Sequence, residues 1–137
     1  MGIWKRKNTK KDKPWGHEFR SENSFNASAK IIHIKEGHRT SLKRMKTKNQ
    51  IFLMVSGLVK VHAPDESEFT ENFEFVIQSG ESIMVSKGST FRLEGLKDSI
   101  LVEISDNGRS ESLQGVEMLE DDYGRLGIHP GIVNFKV

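Results

Sequence analysis

The 137-residue chain has no cysteine, which excludes disulfides, thiolate metal sites and a thiol nucleophile. No apolar run approaches the roughly 20 residues needed to span a bilayer. A signal-peptide hydrophobic region is also missing, so the expected setting is cytoplasmic and free of membrane. Apolar residues make up only 35% of the chain against 29% charged, which suits a single domain with a thin core and a wet surface. Helical periodicity is almost absent, which argues against a helical bundle.

Charge is present but unevenly placed. Of 21 basic and 19 acidic residues, six and one respectively fall in residues 1–13, leaving 15 against 18 and a body of net charge −3. The basic set is Lys5, Arg6, Lys7, Lys10, Lys11 and Lys13, with Asp12 alone opposing it. Residues 1–13 read as a flexible, solvated segment, with contact to nucleic acid or another polyanion as the alternative.

The body reads as short β-rich runs: Lys30–Lys35, Gln50–Val55, Leu58–His62, Glu71–Gln78, Ser82–Val85, Thr90–Leu93 and Ser99–Ile104. Turn signals between them, at the spacing of a sandwich or barrel, predict an all-β fold. Ser56-Gly57 reads as a tight hairpin, Val116–Leu119 as a short helix, and Gly124–Val137 as an extended surface tail. Trp15, Phe19, Phe52, Phe73, Phe75 and Phe91 are the expected aromatic core.

Four segments in order carry a resemblance. Lys13-Pro14-Trp15-Gly16 opens it. Gly37 to Gly57 frames a first signature, and Gly80 to Arg92 a second of matching length. Glu120-Asp121-Asp122-Tyr123-Gly124-Arg125 closes it. Lys30 to Gly57 and these flanking elements together resemble the cupin superfamily, and more narrowly the cupins related to type II mannose-6-phosphate isomerase and mannose-1-phosphate guanylyltransferase. The resemblance implies a double-stranded β-helix, a jelly-roll-type barrel, over residues 14–126, with residues 127–137 as a tail on the surface. It also implies a homodimer.

In that family two histidines and a glutamate of the first signature, and a histidine of the second, bind a metal. Met45, Thr47, Gln50 and Phe91 stand at those positions. A thioether, a hydroxyl, an amide and a phenyl ring do not suit such ions, so the expectation is a barrel with neither metal nor other cofactor. The resemblance places Lys30, Arg39 and Arg92 where relatives often carry Lys or Arg. Lys43 and Arg125 add to an anion-binding wall, and Thr47 and Gln50 offer hydrogen bonds to a sugar hydroxyl or to each other. A sugar phosphate or nucleotide sugar is the expected ligand, with a purely structural module as the other outcome. The enzymatic alternative, a sugar-phosphate isomerase acting on mannose 6-phosphate, requires an unconventional base such as His33 or His62. His38 reads as structural, and no catalytic residue is assigned.

Overall fold

The computed structural model describes residues 2–21, 26–64, 73–106 and 116–125. Eleven strands run through them: β1 (Thr9–Lys13), β2 (Gly16–Ser21), β3 (Ala27–Ile34), β4 (Leu42–Met45), β5 (Gln50–Ser56), β6 (Leu58–His62), β7 (Glu74–Gln78), β8 (Ser82–Val85), β9 (Thr90–Gly95), β10 (Ser99–Asp106) and β11 (Val116–Glu120). They form a six-stranded sheet in the order β1-β2-β3-β10-β5-β8 and a five-stranded sheet in the order β11-β4-β9-β6-β7. Neighbouring strands pair antiparallel throughout, and no helix among the described residues is long and apolar enough to cross a membrane.

Period-2 alternation fills the space between the sheets. In β3, Ser28, Lys30, Ile32 and Ile34 point inward and are buried, while Ala27, Ala29 and Ile31 are exposed. In β10, Leu101, Glu103 and Ser105 point the same way. The apolar part of the interior is Ile32, Ile34, Phe52, Met54, Val59, Val61, Phe91, Leu93 and Leu101, with Phe52 and Phe91 edge to face at 5.6 Å.

Four local expectations are corrected. Ser56-Gly57 does not close a hairpin: β5 pairs with β10 and β8, whereas β6 pairs with β7 and β9. Gly57 instead turns the chain from one sheet into the other at φ 94°. A Cβ there would lie 2.5 Å from the Asp98 carbonyl oxygen. Gly57→Ala is therefore expected to cost about 1–3 kcal/mol, read as a lower urea midpoint. An unchanged midpoint would show that the corner relaxes freely.

Val116–Glu120 is a strand, paired with β4, not a helix. Its Val116 lies opposite Met45, and five residues are too few for either periodicity to show. Thr9–Lys13 is an edge strand in register with β2, and a lysine-rich edge resists further pairing. Phe19 lies on the outer side of its sheet and Phe73 is 43% exposed, whereas Trp15, Phe52 and Phe91 are core and Phe75 packs against it. The tail at 127–137 and the segment 107–115 lie outside the described residues.

Candidate functional site

The alternation that builds the core turns polar at one end of the barrel. There Glu18 and Arg20 of β2, Lys30 of β3, Lys43 of β4, Gln50 of β5 and Glu103 of β10 line a common cavity, joined by Lys13 and Arg125. Trp15, Ile32, Met45, Phe52 and Leu93 complete its wall. The cavity measures about 60 Å³, room for a few waters.

Two ion pairs flank this lining. Lys48, with a fully buried side chain, donates to Glu103 at 3.3 Å. Arg125 pairs with Asp121, Nη2 to Oδ1 at 2.8 Å, and its backbone N–H donates to the same carboxylate at 2.7 Å. Burial pushes the Asp121 carboxyl up, but these bonds and the guanidinium charge hold it below the usual carboxylate range.

The remainder is unbalanced. Lys13 and Lys30 each bring Nζ within 3.9 Å of Glu18 Oε1, and Arg20 Nε donates to that oxygen at 2.7 Å. Burial pushes the Glu18 carboxyl up, yet Lys30, Lys13 and Arg20 together hold it below its ordinary value. Burial likewise pushes the Lys13 ammonium down to about 8, against the pull of Glu18. Lys43 sits with Nζ 5.8 Å from the Phe91 ring centre. Among the described residues the cavity lining thus carries five cations and two carboxylates. Gln50, 3% exposed, presents an Oε1 with no hydrogen-bond partner there. A buried acceptor without a donor costs about 1–3 kcal/mol, so this oxygen is set to receive a water or a hydroxyl.

Of the residues named from sequence, Lys30, Lys43, Gln50 and Arg125 meet in this cavity. Thr47 does not: it is exposed and leaves Gln50 Oε1 unsatisfied. Arg92 is buried but faces away from the cavity, because it alternates with inward Phe91 and Leu93. It donates from Nε to the Thr40 carbonyl at 3.0 Å and pairs with Glu120 and Asp122. Arg39 joins the same cluster through Asp122 at 2.9 Å. His33 stacks on His17 at 4.2 Å on the outer face of the six-stranded sheet. His62 is bracketed by Glu74 and Glu94, at 2.8 Å each, on the outer face of the other sheet. Neither lines the cavity, which removes both as the unconventional base. His38 stacks on Tyr123, a structural contact.

Lys13, Glu18, Arg20 and Glu103 were not singled out as site residues by sequence. The signal available for Glu18 and Arg20 was an inverted alternation, with polar residues flanking Phe19. For Lys13 it was the position beside Pro14-Trp15.

The four positions equated with metal ligands do not fit an ion. Met45 and Phe91 are buried in the apolar core, and Thr47 is exposed. Only Gln50 offers an oxygen to the cavity, and no group of three His, Asp or Glu among the described residues is arranged to hold a metal.

Two sheets facing across a shared interior, entered from a Pro-Trp-Gly turn and closed by Asp121–Arg125, define a cupin barrel. The chain belongs to the family described as mannose-6-phosphate isomerase C-terminal, which matches residues 4–126. Among solved structures, the capsular polysaccharide assembling protein CapF from Staphylococcus aureus is similar at 21% identity and TM-score 0.65, over 83% of this chain and 34% of its own. Oxalate decarboxylase from Bacillus subtilis is similar at 16% identity and TM-score 0.70, over 87% and 33%. That from Lactobacillus farciminis, in a formate complex, gives 17% and 0.66, over 82% and 33%. At such identities the likeness shows the fold alone, and the chain spans about a third of the length of these proteins. No curated protein matches.

Proposed function

We propose that this barrel binds the anionic group of a sugar phosphate or nucleotide sugar without the help of a metal. The observation that carries the reading is the excess of cations lining the cavity, five against two carboxylates among the described residues. Cations in a low-dielectric wall attract an anion far more strongly than the same charges in water. Arginine and lysine donors suit phosphate oxygens, and Gln50 Oε1 supplies an acceptor for a hydroxyl donor.

Size limits how the ligand sits. A space of about 60 Å³ is small beside the roughly 300–1,000 Å³ pockets that enclose drug-sized ligands. The anionic group enters among Lys13, Arg20 and Lys30, and the rest of the ligand stays at the mouth. Isothermal titration with mannose 6-phosphate, a nucleotide sugar, inorganic phosphate and mannose tests this. The phosphorylated compounds are expected to bind and mannose is not. Equal affinity for mannose and its phosphate, or no binding by any of them, would overturn the reading.

One observation favours a second reading, isomerisation of a sugar phosphate. A Lys13 amine held near 8 by burial is partly neutral at physiological pH and can accept a proton. Conversion of mannose 6-phosphate to the ketose phosphate by the wild-type protein, lost in Lys13→Met, would put this reading ahead of simple binding.

A further inference from the structure

Lys13 differs from the other cations of the cavity in how it is held. Lys30 lies on β3 between its register partners Arg20 of β2 and Glu103 of β10. Lys13 instead ends the edge strand β1, with its side chain 12% exposed. Arg20 Nε donates to Glu18 Oε1 at 2.7 Å, whereas Lys13 Nζ stays 3.9 Å from that oxygen, too long for a hydrogen bond. Burial holds the Lys13 ammonium down to about 8, and Arg20, Lys43 and Lys11 add to the effect. A lysine desolvated among other cations is a nucleophile, because its free amine carries the lone pair that attacks.

Two chemistries therefore meet in about 60 Å³: fixed donors for a phosphate, and a half-buried amine beside them. From this juxtaposition we infer that Lys13 is an acylation site, modified by small acyl phosphates that the cavity binds through their phosphate group. The inference rests on the anion-binding reading above and extends it to a reactive ligand. Arg20 and Lys30 hold the phosphate. The acyl carbon, joined to phosphorus through a single oxygen, then lies beside the Lys13 amine, and a short acyl group suits so small a space. The nitrogen lone pair attacks that carbon and a C–N bond forms. The bond from the carbon to the bridging oxygen breaks, its electron pair leaves with phosphate, and phosphate takes up the amine proton. The products are an amide and inorganic phosphate, so no other reactant is required. Neighbouring cations stabilise the charge that develops on the leaving phosphate. An acylated lysine carries no charge. The lining then falls from five cations to four, against the same two carboxylates, so acylation weakens the site for its other ligands.

Incubation with acetyl phosphate near the Lys13 pKa, read by peptide mass spectrometry, tests the inference. An amine of pKa about 8 is half free at that pH, whereas an ordinary lysine at about 10.4 is almost wholly protonated. Lys13 is expected to acetylate at least about tenfold faster than Lys10 and Lys46, whose side chains are 53% and 52% exposed. Inorganic phosphate should slow the reaction at Lys13 and not at the exposed lysines. A neutral donor, p-nitrophenyl acetate, should favour Lys13 less, which separates the hold on phosphate from the reactivity of the amine. Both measurements use the unmutated chain, so no misfolded variant can mislead them. The acetylated protein should also bind mannose 6-phosphate several-fold more weakly than the untreated one. Equal acetylation of Lys13 and the exposed lysines would overturn the inference. So would a preference for Lys13 that ignores inorganic phosphate, or one as large with the neutral donor. If mannose 6-phosphate binds and Lys13 stays unmodified, this inference alone falls; if neither occurs, the anion-binding reading falls with it.

Discussion

Glu18→Ala is expected to destabilise the protein by about 3–5 kcal/mol, the usual cost of stripping one partner from a buried ionic cluster. The side chain is 5% exposed, and Lys13, Lys30 and Arg20 all converge on its carboxylate. Without it, Lys13, Lys30 and Arg20 lose the carboxylate they share in a desolvated space. The same substitution raises the positive potential of the cavity, so a phosphorylated ligand is expected to bind at least about tenfold more tightly, which corresponds to 1.4 kcal/mol. Glu18 thus occupies the place of a ligand's anion, and stability trades against affinity. Thermal unfolding with and without inorganic phosphate measures both, since phosphate should restore much of the lost melting temperature in Glu18→Ala and little in the wild type. Loss of stability with no phosphate rescue would mean that Glu18 is only a structural counter-ion and that the cavity does not receive anions.

The acid side follows from the same cluster. Glu18 has a lowered folded-state pKa, so its stabilisation is present above the unfolded value, about 4.3. It is lost as the pH falls through the lower folded value.

How much of this was legible in sequence depended on which face of each strand was apolar. Leu58–His62 and Ser82–Val85 were read with the bounds the structure gives, because Val59, Val61, Ile83 and Val85 alternate inward as hydrophobic residues. Strand β2 escaped because its pattern is reversed: Glu18 and Arg20 point in, while His17 and Phe19 point out. Strand β4 escaped for a like reason, since Lys43 shares the inner face with Met45. A polar cavity and an apolar outer face both invert the alternation on which strand recognition rests, so β2 and β4, two of the strands that build the site, were the hardest to see. The site itself was half legible. Lys30, Lys43, Gln50 and Arg125 came from positional resemblance, which fixes the strand. Thr47 and Arg92 failed because a shift of one residue, or a loop in place of a strand, turns a side chain to the other face.

The replaced metal positions change what the barrel can offer a ligand. Phe91 and Met45 turn the deep end apolar, and Phe91 packs on Phe52. The polar chemistry moves towards Lys13, Arg20 and Lys30, at the edge where β1, β2 and β3 pair. Recognition there depends on fixed positive charge, and that makes it sensitive to alkali.

Lys13 sets the pH at which this sensitivity appears. Its ammonium is held near 8 by burial, with Arg20, Lys43 and Lys11 adding to the effect, whereas an ordinary lysine titrates near 10.4. A phosphate monoester is already doubly charged above about pH 6. Between pH 7 and 9.5, then, the protein loses charge and the ligand does not. If the anion requires the protonated amine, the apparent affinity for mannose 6-phosphate should fall about 30-fold by pH 9.5, from one proton of linkage across 1.5 pH units. In Lys13→Met the affinity should be lower throughout and nearly flat over this range. Binding should also return a proton to Lys13, so titration calorimetry at pH 8.5 in buffers of different ionisation enthalpy should register proton uptake. Stability of the free protein moves the opposite way. Because the folded-state pKa lies below the unfolded one, the unfolded chain binds more protons between about 8 and 10.4, and this residue favours folding increasingly as the pH rises through that window. A decline in affinity that begins only above pH 10, or one that persists unchanged in Lys13→Met, would remove Lys13 from the anion site and leave Lys30 and Arg20 to carry it.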